Sequence, residues 1–447
     1  LDRRWILSGS CLAVLVGLAS GLASALFLMV LSRATDAQAH HPWLLYLLPV
    51  AGALIAWSYQ GYGKSAAGGN NLILDQIHDA DQANRVPFRM LPLVLISTVI
   101  THLFGGSAGR EGTAVQMGGA LASSLARLLK LSPHHLRIML MCGISGGFSS
   151  VFGTPLAGTI FGMEMLAVGG MRYDALIPCL IAAVAGDLMV NRIGIHHGIY
   201  TISSSIPEMT PGVISLVVIA SIGFGLASLL FAEATSFIEH TSKRLVPNGI
   251  LRTTLGGVLV IALTLVFGTR LYTGLSLPLL ADCFSGANIP TFAFLLKLVL
   301  TSVTLGMGFK GGEVTPLFVI GATLGVTLAG PLGLSPDFLA ALGFIAVFAA
   351  AANTPLACVA MGAELFSTSG IIYFGIAVFV AYTISGHRGI YHSQRILSAK
   401  HVHMTSPLIG STLHELRGQR LPLPIRIQAL SGSKAILARS SKKRSAT

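Results

Sequence analysis

The residues with the most chemical content are two acids set in apolar sequence. Glu111 stands in Gly105-Gly106-Ser107-Ala108-Gly109-Arg110-Glu111-Gly112-Thr113, and Glu313 in Gly311-Gly312-Glu313-Val314-Thr315. Both stretches read G-x-E-x-T. Glycines let the backbone approach a small ligand closely, and the amides opening the following helix turn their partial positive charge toward it. An ionisable group in membrane-embedded sequence is a functional candidate by default. The chemistry this allows is anion binding by N–H donors, with a carboxylate that competes for the same donors and can carry a proton. A glycine-rich turn with a helix-capping acid is the plainer alternative, and the recurrence of the motif argues against it. Glu313 either faces a pore or braces its loop.

The recurrence extends further. Thr154-Pro155-Leu156-Ala157 returns as Thr354-Pro355-Leu356-Ala357, each followed ten residues on by an acid, Glu164 and Glu364. From the G-x-E-x-T acid to Thr-Pro is 43 residues in one half and 41 in the other. Two ordered matches at nearly equal spacing indicate an internal duplication. Duplicated transporters commonly have inverted topology, with the solute site where the halves meet, lined by the ends of broken helices. Glu164 and Glu364 are expected to partner nearby amides or a dimer interface. The expected division is a first membrane repeat over 1–200, an inverted second repeat over 201–395, and a basic tail over 396–447.

The elements that must position these residues are helices in lipid. Of 447 residues, 53% are hydrophobic and 10% charged, against roughly 25% charged in soluble domains. Residues 5–31 carry no charge, and 137–168, 212–232, 253–269 and 314–363 are nearly as apolar, each long enough to span. Segments 43–57 and 91–104 are short and broken, as in discontinuous helices. Residues 5–31 are too long for a signal-peptide core and read as a retained first segment, followed by a hairpin through the polar loop Ser32 to Pro42. The fold class expected is an all-α membrane protein of many tilted and discontinuous helices.

The net charge of +12 does not point to nucleic acid. Eight Lys and Arg follow Glu415 with no acid among them, and Lys243, Arg244 and Arg252 flank one internal loop. Loops 32–42 and 196–211 are poor in both. The positive-inside rule then places both termini and the 240s loop in the cytoplasm, with the tail against anionic headgroups of the bilayer. Five scattered cysteines read as buried free thiols. The pairs His40-His41, His134-His135 and His196-His197 lack metal-ligand spacing and read as solvated loop residues. Gly63-Lys64-Ser65 lacks the earlier glycine of a phosphate loop, which rejects nucleotide binding. Gly68-Gly69-Asn70-Asn71 has the chemistry of a turn before a helix, and a simple turn and an anion site with amide donors are equally open. No catalytic residue, metal site or cofactor is expected. An intramembrane hydrolase using Glu111 or Glu313 with His102 finds no nucleophile motif to support it.

Gly109-Arg110-Glu111-Gly112, Thr154-Pro155-Leu156-Ala157-Gly158 with its downstream acid, the duplicated halves, and Gly389-Ile390-Tyr391-His392-Ser393-Gln394-Arg395-Ile396 together resemble the CLC chloride channels and transporters. The resemblance covers roughly residues 10–395 and implies a CLC-type inverted-repeat bundle, dimeric, with one pathway per subunit. Typical members have GSGIP, GREGP and GxFxP. Here the matching stretches are Gly69-Asn70-Asn71-Leu72-Ile73, a GREG followed by Thr113, and Gly312-Glu313-Val314-Thr315-Pro316. These departures resemble the bacterial fluoride/proton antiporter branch, CLC-F. The resemblance implies a gating role for Glu111 and anion binding by Asn70 or Asn71, by Gly109, Arg110, Gly112 and Thr113, by Val314 and Thr315, and by Tyr391. Glu313 is a possible pore acid. The internal proton glutamate of chloride/proton exchangers falls at Met165, a loss shared with the fluoride branch. The function implied is export of fluoride in exchange for protons across a bacterial inner membrane. A chloride/proton exchanger or passive chloride channel on the same fold is the alternative.

Overall fold

The computed structural model describes residues 3–79, 85–198, 200–400 and 409–416. The first half of the chain forms α1 (Arg3–His40), α2 (Leu48–Gly61), α3 (Asn70–His78), α4 (Met90–Leu103), α5 (Glu111–Leu128), α6 (Pro133–Phe152), α7 (Pro155–Glu164) and α8 (Leu176–Arg192). The second forms α9 (Pro211–Leu245), α10 (Gly249–Phe267), α11 (Leu277–Ser285), α12 (Ala293–Gly306), α13 (Val314–Leu332), α14 (Pro336–Ala352), α15 (Pro355–Leu365) and α16 (Ile371–Ile384), before the short α17 (Leu413–Leu416). The two sets match in order and length: α3 and α11 both have 9 residues, α4 and α12 both 14, and α5 and α13 have 18 and 19. Among the described residues six helical segments are long and apolar enough to cross a membrane, and several apolar helices are shorter.

Local sequence sets the breaks. Ser132 caps α6 with Pro133 at its first position, and the Asn248 side chain caps α10 by accepting from the amides of Ile250 and Leu251. Between α6 and α7 the chain turns at Gly153, in the left-handed region, and restarts at Thr154-Pro155. Between α14 and α15 Asn353 takes the same conformation before Thr354-Pro355. One expectation fails here. The predicted hairpin through Ser32–Pro42 is helical as far as His40, because no Gly or Pro interrupts 33–41 and the Thr35 hydroxyl folds back on the Leu31 carbonyl. The chain turns only at Pro42.

Residues 138–152 of α6 and 338–352 of α14 are buried without exception, so these helices form the interior. Gly118 and Gly143 let α5 meet α6 backbone to backbone, and Gly321 and Gly343 do the same for α13 and α14. Outside them α8, α9 and α10 expose Ile177, Leu188, Ile219, Leu230, Leu259 and Val266, the composition of a lipid-facing or partner-facing surface. Cys11 is exposed on α1, contrary to the reading of all five cysteines as buried; the other four are buried, and all are free.

The halves are tied reciprocally. Glu164, ending α7, accepts from the Leu356 and Ala357 amides that open α15, at 3.0 and 2.8 Å. Glu364, near the end of α15, accepts from the Leu156 and Ala157 amides that open α7, at 2.8 Å each. Each carboxylate thus satisfies orphan donors at the positive end of the other helix. Two-residue strands β1 (Ala167–Val168) and β2 (Arg395–Ile396) pair in parallel and bring the segment after α16 back to the interior.

Candidate anion site

The two G-x-E-x-T segments meet. Gly109 and Gly312 form an antiparallel bridge, the Gly109 amide donating to the Gly312 carbonyl at 2.6 Å and the Gly312 amide to the Gly109 carbonyl at 2.8 Å. Only glycine permits this approach: a Cβ on Gly109 would fall 2.9 Å from the Gly312 oxygen, and one on Gly312 would fall 2.8 Å from the Gly112 nitrogen. The starts of α5 and α13 therefore converge on one point.

Glu111 is the first residue of α5 and is 1% exposed. Its Oε2 accepts from the Thr315 amide at 3.0 Å and the Arg110 amide at 3.1 Å, and its Oε1 accepts from the Thr315 hydroxyl. Arg110 Nε lies 3.5 Å from Oε1. The carboxylate so occupies a cradle made by the opening residues of both helices, which is the arrangement an anion takes at a helix N-terminus. Arg110, Glu111 and Thr315 line a small cavity of about 30 Å³ that Phe152, His197, Tyr200 and Phe318 close. That volume suits one small ion or water.

Asn70, Asn71, Glu313 and Tyr391 line a different cavity of about 200 Å³, together with Gln116, Glu239 and Lys310. It shares Tyr59, Ala67, Glu239, Phe309 and Lys310 with a wider cavity of about 510 Å³ rimmed by Lys64, Lys243 and Arg252. Asn70 opens α3 after Gly69, whose φ of +57° is glycine's own. The Asn70 Oδ1 is buried and has no partner, while its Nδ2 lies 3.3 Å from where a Cβ on Gly112 would be. Asn71 does a different job: its Oδ1 accepts from the Ser393 amide at 3.0 Å and holds the Tyr391 segment in place. Gln394 completes that anchoring by donating to the Met165 and Ala352 carbonyls. Met165 itself is buried and brings no carboxylate.

The remaining predicted residues are placed as follows. Gly112 keeps the face of α5 open toward Asn70 and Glu313. Val314 is buried at the start of α13 and lines neither cavity. The Thr113 hydroxyl turns away from both cavities and bonds Thr98 Oγ1 at 2.7 Å, so it cannot be a side-chain ligand in this state. His102 is not paired with either acid. Its ring nitrogens meet the Thr98 and Ala108 carbonyls at 2.8 and 3.0 Å. His197, read from sequence as solvated, is largely buried against Gly153 and lines the Glu111 cavity.

Sequence reasoning missed Lys297. This α12 residue is fully buried and donates to Ser107 Oγ, Ser276 Oγ and the Tyr272 and Gly274 carbonyls at 2.8–3.1 Å. Thr301 and Thr304 also bond Ser107. The ammonium thus fastens the loop before Glu111 to the turn before α11, whose Leu277 and Leu280 line the Glu111 cavity. A lone lysine in the apolar run 293–300 was the available signal.

A family model for the voltage gated chloride channel matches residues 51–386. The chain is 49% identical to the chloride/fluoride channel protein of Pseudomonas syringae pv. tomato over 89% of this chain and 88% of that protein. It is 24% identical to the H+/Cl− exchange transporter of Vibrio vulnificus over 85% and 87%. Among solved structures, a CLC-type fluoride/proton antiporter superposes with a TM-score of 0.86 at 32% identity, covering 89% of this chain and all of that one. A slow cyanobacterial Cl−/H+ antiporter, at TM-score 0.73 and 21% identity over 86% of this chain and 95% of that one, shares the fold. The chain belongs to the voltage gated chloride channel (CLC) family and is a multi-pass membrane protein.

Proposed function

We propose that this protein exports fluoride from the cytoplasm in exchange for protons, with Glu111 as the group that trades one ion for the other. The observation that carries this is the Glu111 carboxylate seated among the donors of Thr315 and Arg110 at the start of two helices. An anion arriving there takes the same donors. A proton arriving there neutralises the carboxylate and frees the cradle. The ionised carboxylate and an anion exclude each other from the cradle, so the anion enters as Glu111 is protonated and leaves as the carboxylate returns, which couples the two ions at one residue.

Fluoride is small and strongly hydrated, so the site must return good donors for the water it strips. Backbone amides, the Thr315 hydroxyl and the Asn70 amide are such donors, and Arg110 adds charge beside them. Fluoride transport is also in keeping with the two relatives whose names include it. The positive-inside rule orients the pathway. The wide cavity is rimmed by Lys243 and Arg252 of the basic 240s segment and faces the cytoplasm, while the Glu111 cavity borders the 196–211 loop and faces outside. Glu313 then serves the inner side, where Met165 supplies no acid. The remaining parts of the reading are two inverted repeats over 1–200 and 201–395, cytoplasmic termini, a bacterial inner membrane, and a homodimer with one pathway per protomer. The basic tail belongs to the cytoplasmic side, and residues 417–447 lie outside the described residues.

The test is flux from liposomes loaded with fluoride or chloride, with a simultaneous pH readout. Fluoride efflux accompanied by proton uptake, with chloride efflux much slower, is the expected result. Rapid chloride efflux without fluoride preference rejects the reading in favour of a chloride transporter.

A further inference from the structure

A facing pair of polar atoms beside the Glu111 cavity has no part in the exchange described above. His197 Nε2 and Asp187 Oδ1 lie 4.0 Å apart, with side chains 15% and 17% exposed. Both atoms are buried and neither has a hydrogen-bond partner. Buried polar atoms in native proteins are normally satisfied, so two left opposite each other call for an occupant.

The rest of each side chain is already committed. The other Asp187 oxygen accepts from Asn191 Nδ2 at 3.1 Å, one turn along α8. The His197 ring bonds the backbone of Val151, next to the end of α6. Because Nε2 has no partner, that bond is made by Nδ1, and an Nδ1–H donating to the carbonyl leaves the Nε2 lone pair free. A lone pair then faces a carboxylate oxygen, and two acceptors in that position repel. One proton between them satisfies both.

We infer that His197 and Asp187 form a proton-loading site that supplies Glu111 from the outer solution. The inference rests on the proposed exchange. A proton from the cavity binds His197 Nε2, and the imidazolium is held by the Asp187 carboxylate. The same proton then passes across the cavity, which His197 and Glu111 both line, to a Glu111 oxygen. Glu111 becomes a neutral acid and gives up its charge-assisted bonds to Thr315, and His197 returns to the neutral imidazole.

The groups around the pair come from every element packed there. Arg110 and Glu111 face it from the start of α5, Glu364 faces Asp187 from α15, and His196 and Tyr200 flank it on its own segment. Burial, the Arg110 guanidinium and His196 hold the His197 pKa below its ordinary value. The imidazole therefore releases a proton readily once loaded.

The experiment is fluoride-driven proton uptake into liposomes, measured against outer pH for the wild type, His197→Gln and Asp187→Asn. His197→Gln is expected to slow uptake by about tenfold near neutral outer pH, at the low end of general acid–base contributions. The deficit should close as the outside is acidified and protons reach Glu111 directly. A purely structural defect would not be repaired by acid. Asp187→Asn removes the counter-charge of the imidazolium and should move the midpoint of the profile to lower pH. A His197→Gln profile identical to wild type overturns the inference. If that variant does not assemble, an unmoved Asp187→Asn midpoint overturns it instead. A wild type that couples normally beside two unaltered variants removes the loading site alone, whereas a wild type with no fluoride-coupled proton uptake removes the exchange reading and this inference together.

Discussion

Glu164 separates two accounts of the inner half of the pathway, and its substitution by Gln distinguishes them. It neighbours Met165, where chloride/proton exchangers of this family carry a proton-transfer glutamate, and so is a natural substitute for that group. The structure assigns it other work, since both of its oxygens accept amides from the start of α15. A hydrogen bond to a charged group contributes about 1.5–3 kcal/mol, and a neutral one about 0.5–1.5 kcal/mol. Gln offers one carbonyl oxygen for two amides and turns an N–H toward the second, so one bond weakens and the other is lost. The net cost is about 2–4 kcal/mol. An unfolding entropy of roughly 2 cal/mol/K per residue, taken over 447 residues, converts this to a melting temperature lowered by about 2–4 °C. Melting of the detergent-solubilised protein measures that shift, and the ratio of protons to fluoride in liposomes measures coupling. The expected outcome is a less stable protein with an unchanged ratio. A normal melting temperature with an altered ratio would show that Glu164 carries protons and would refute the assignment. Glu364→Gln should also lower the melting temperature, because Glu364 makes the matching pair of bonds to the Leu156 and Ala157 amides.

Glu111→Gln keeps the shape of the side chain but cannot take up a proton, so fluoride-dependent proton uptake should vanish; a pH-sensitive dye in the liposome lumen reads this, and uptake at wild-type rate refutes the exchange mechanism. Asn70→Ser combined with Val314→Gly removes an amide from the inner cavity and loosens the start of α13. Fluoride preference over chloride in paired efflux traces should fall by about tenfold, the equivalent of one net hydrogen bond, and unchanged selectivity would exclude both positions from discrimination. Lys297→Met leaves the buried Tyr272 and Gly274 carbonyls without their donor, at about 1–3 kcal/mol each, and should lower the melting temperature as well as the flux. An unaltered melting temperature would show that the ammonium does not hold the loop.

What was legible in the sequence was local or repeated. Glu111 stood out because a glycine-rich turn precedes it and because Glu313 repeats the setting at almost the same distance from Thr-Pro. The Thr-Pro pairs were legible as repeats, whereas the runs 137–168 and 314–363, read as single apolar stretches, break at Gly153 in the first and at Gly333 and Asn353 in the second. The details that escaped depend on partners far along the chain. Nothing near Asn71 reveals that its carbonyl waits for the Ser393 amide, and nothing near Lys297 reveals Ser107, 190 residues earlier. Thr113 and Thr315 occupy the same motif position, yet Thr113 bonds α4 while Thr315 bonds Glu111. Spacing within the motif is equal, but the bridge pairs Gly109 with Gly312, so Thr113 is the third residue of α5 and Thr315 the second of α13. His197 was misjudged for a related reason: a polar loop residue is solvated unless something covers it, and here the end of α6 does.

Glu313 stands where this chain can replace the acid that Met165 does not supply, and it does so without being the symmetry mate of Glu111. The antiparallel bridge pairs Gly109 with Gly312, so its local two-fold puts Val314, not Glu313, in the place equivalent to Glu111; Glu111 is the first residue of α5 and Glu313 the residue before α13. Glu111 lines the cavity beside the 196–211 loop, and Glu313 lines the one continuous with the basic 240s rim. The one-residue offset thus leaves the two acids on different cavities, each within a few residues of the Gly109–Gly312 contact. Under the proposed exchange the proton has an acceptor on each side of the Gly109–Gly312 contact, and Glu313→Gln should block proton delivery from the inner solution. The readout is fluoride-driven proton flux with the inner pH varied at fixed outer pH. A Glu313→Gln protein whose flux follows inner pH as the wild type does would show that Glu313 only braces its loop.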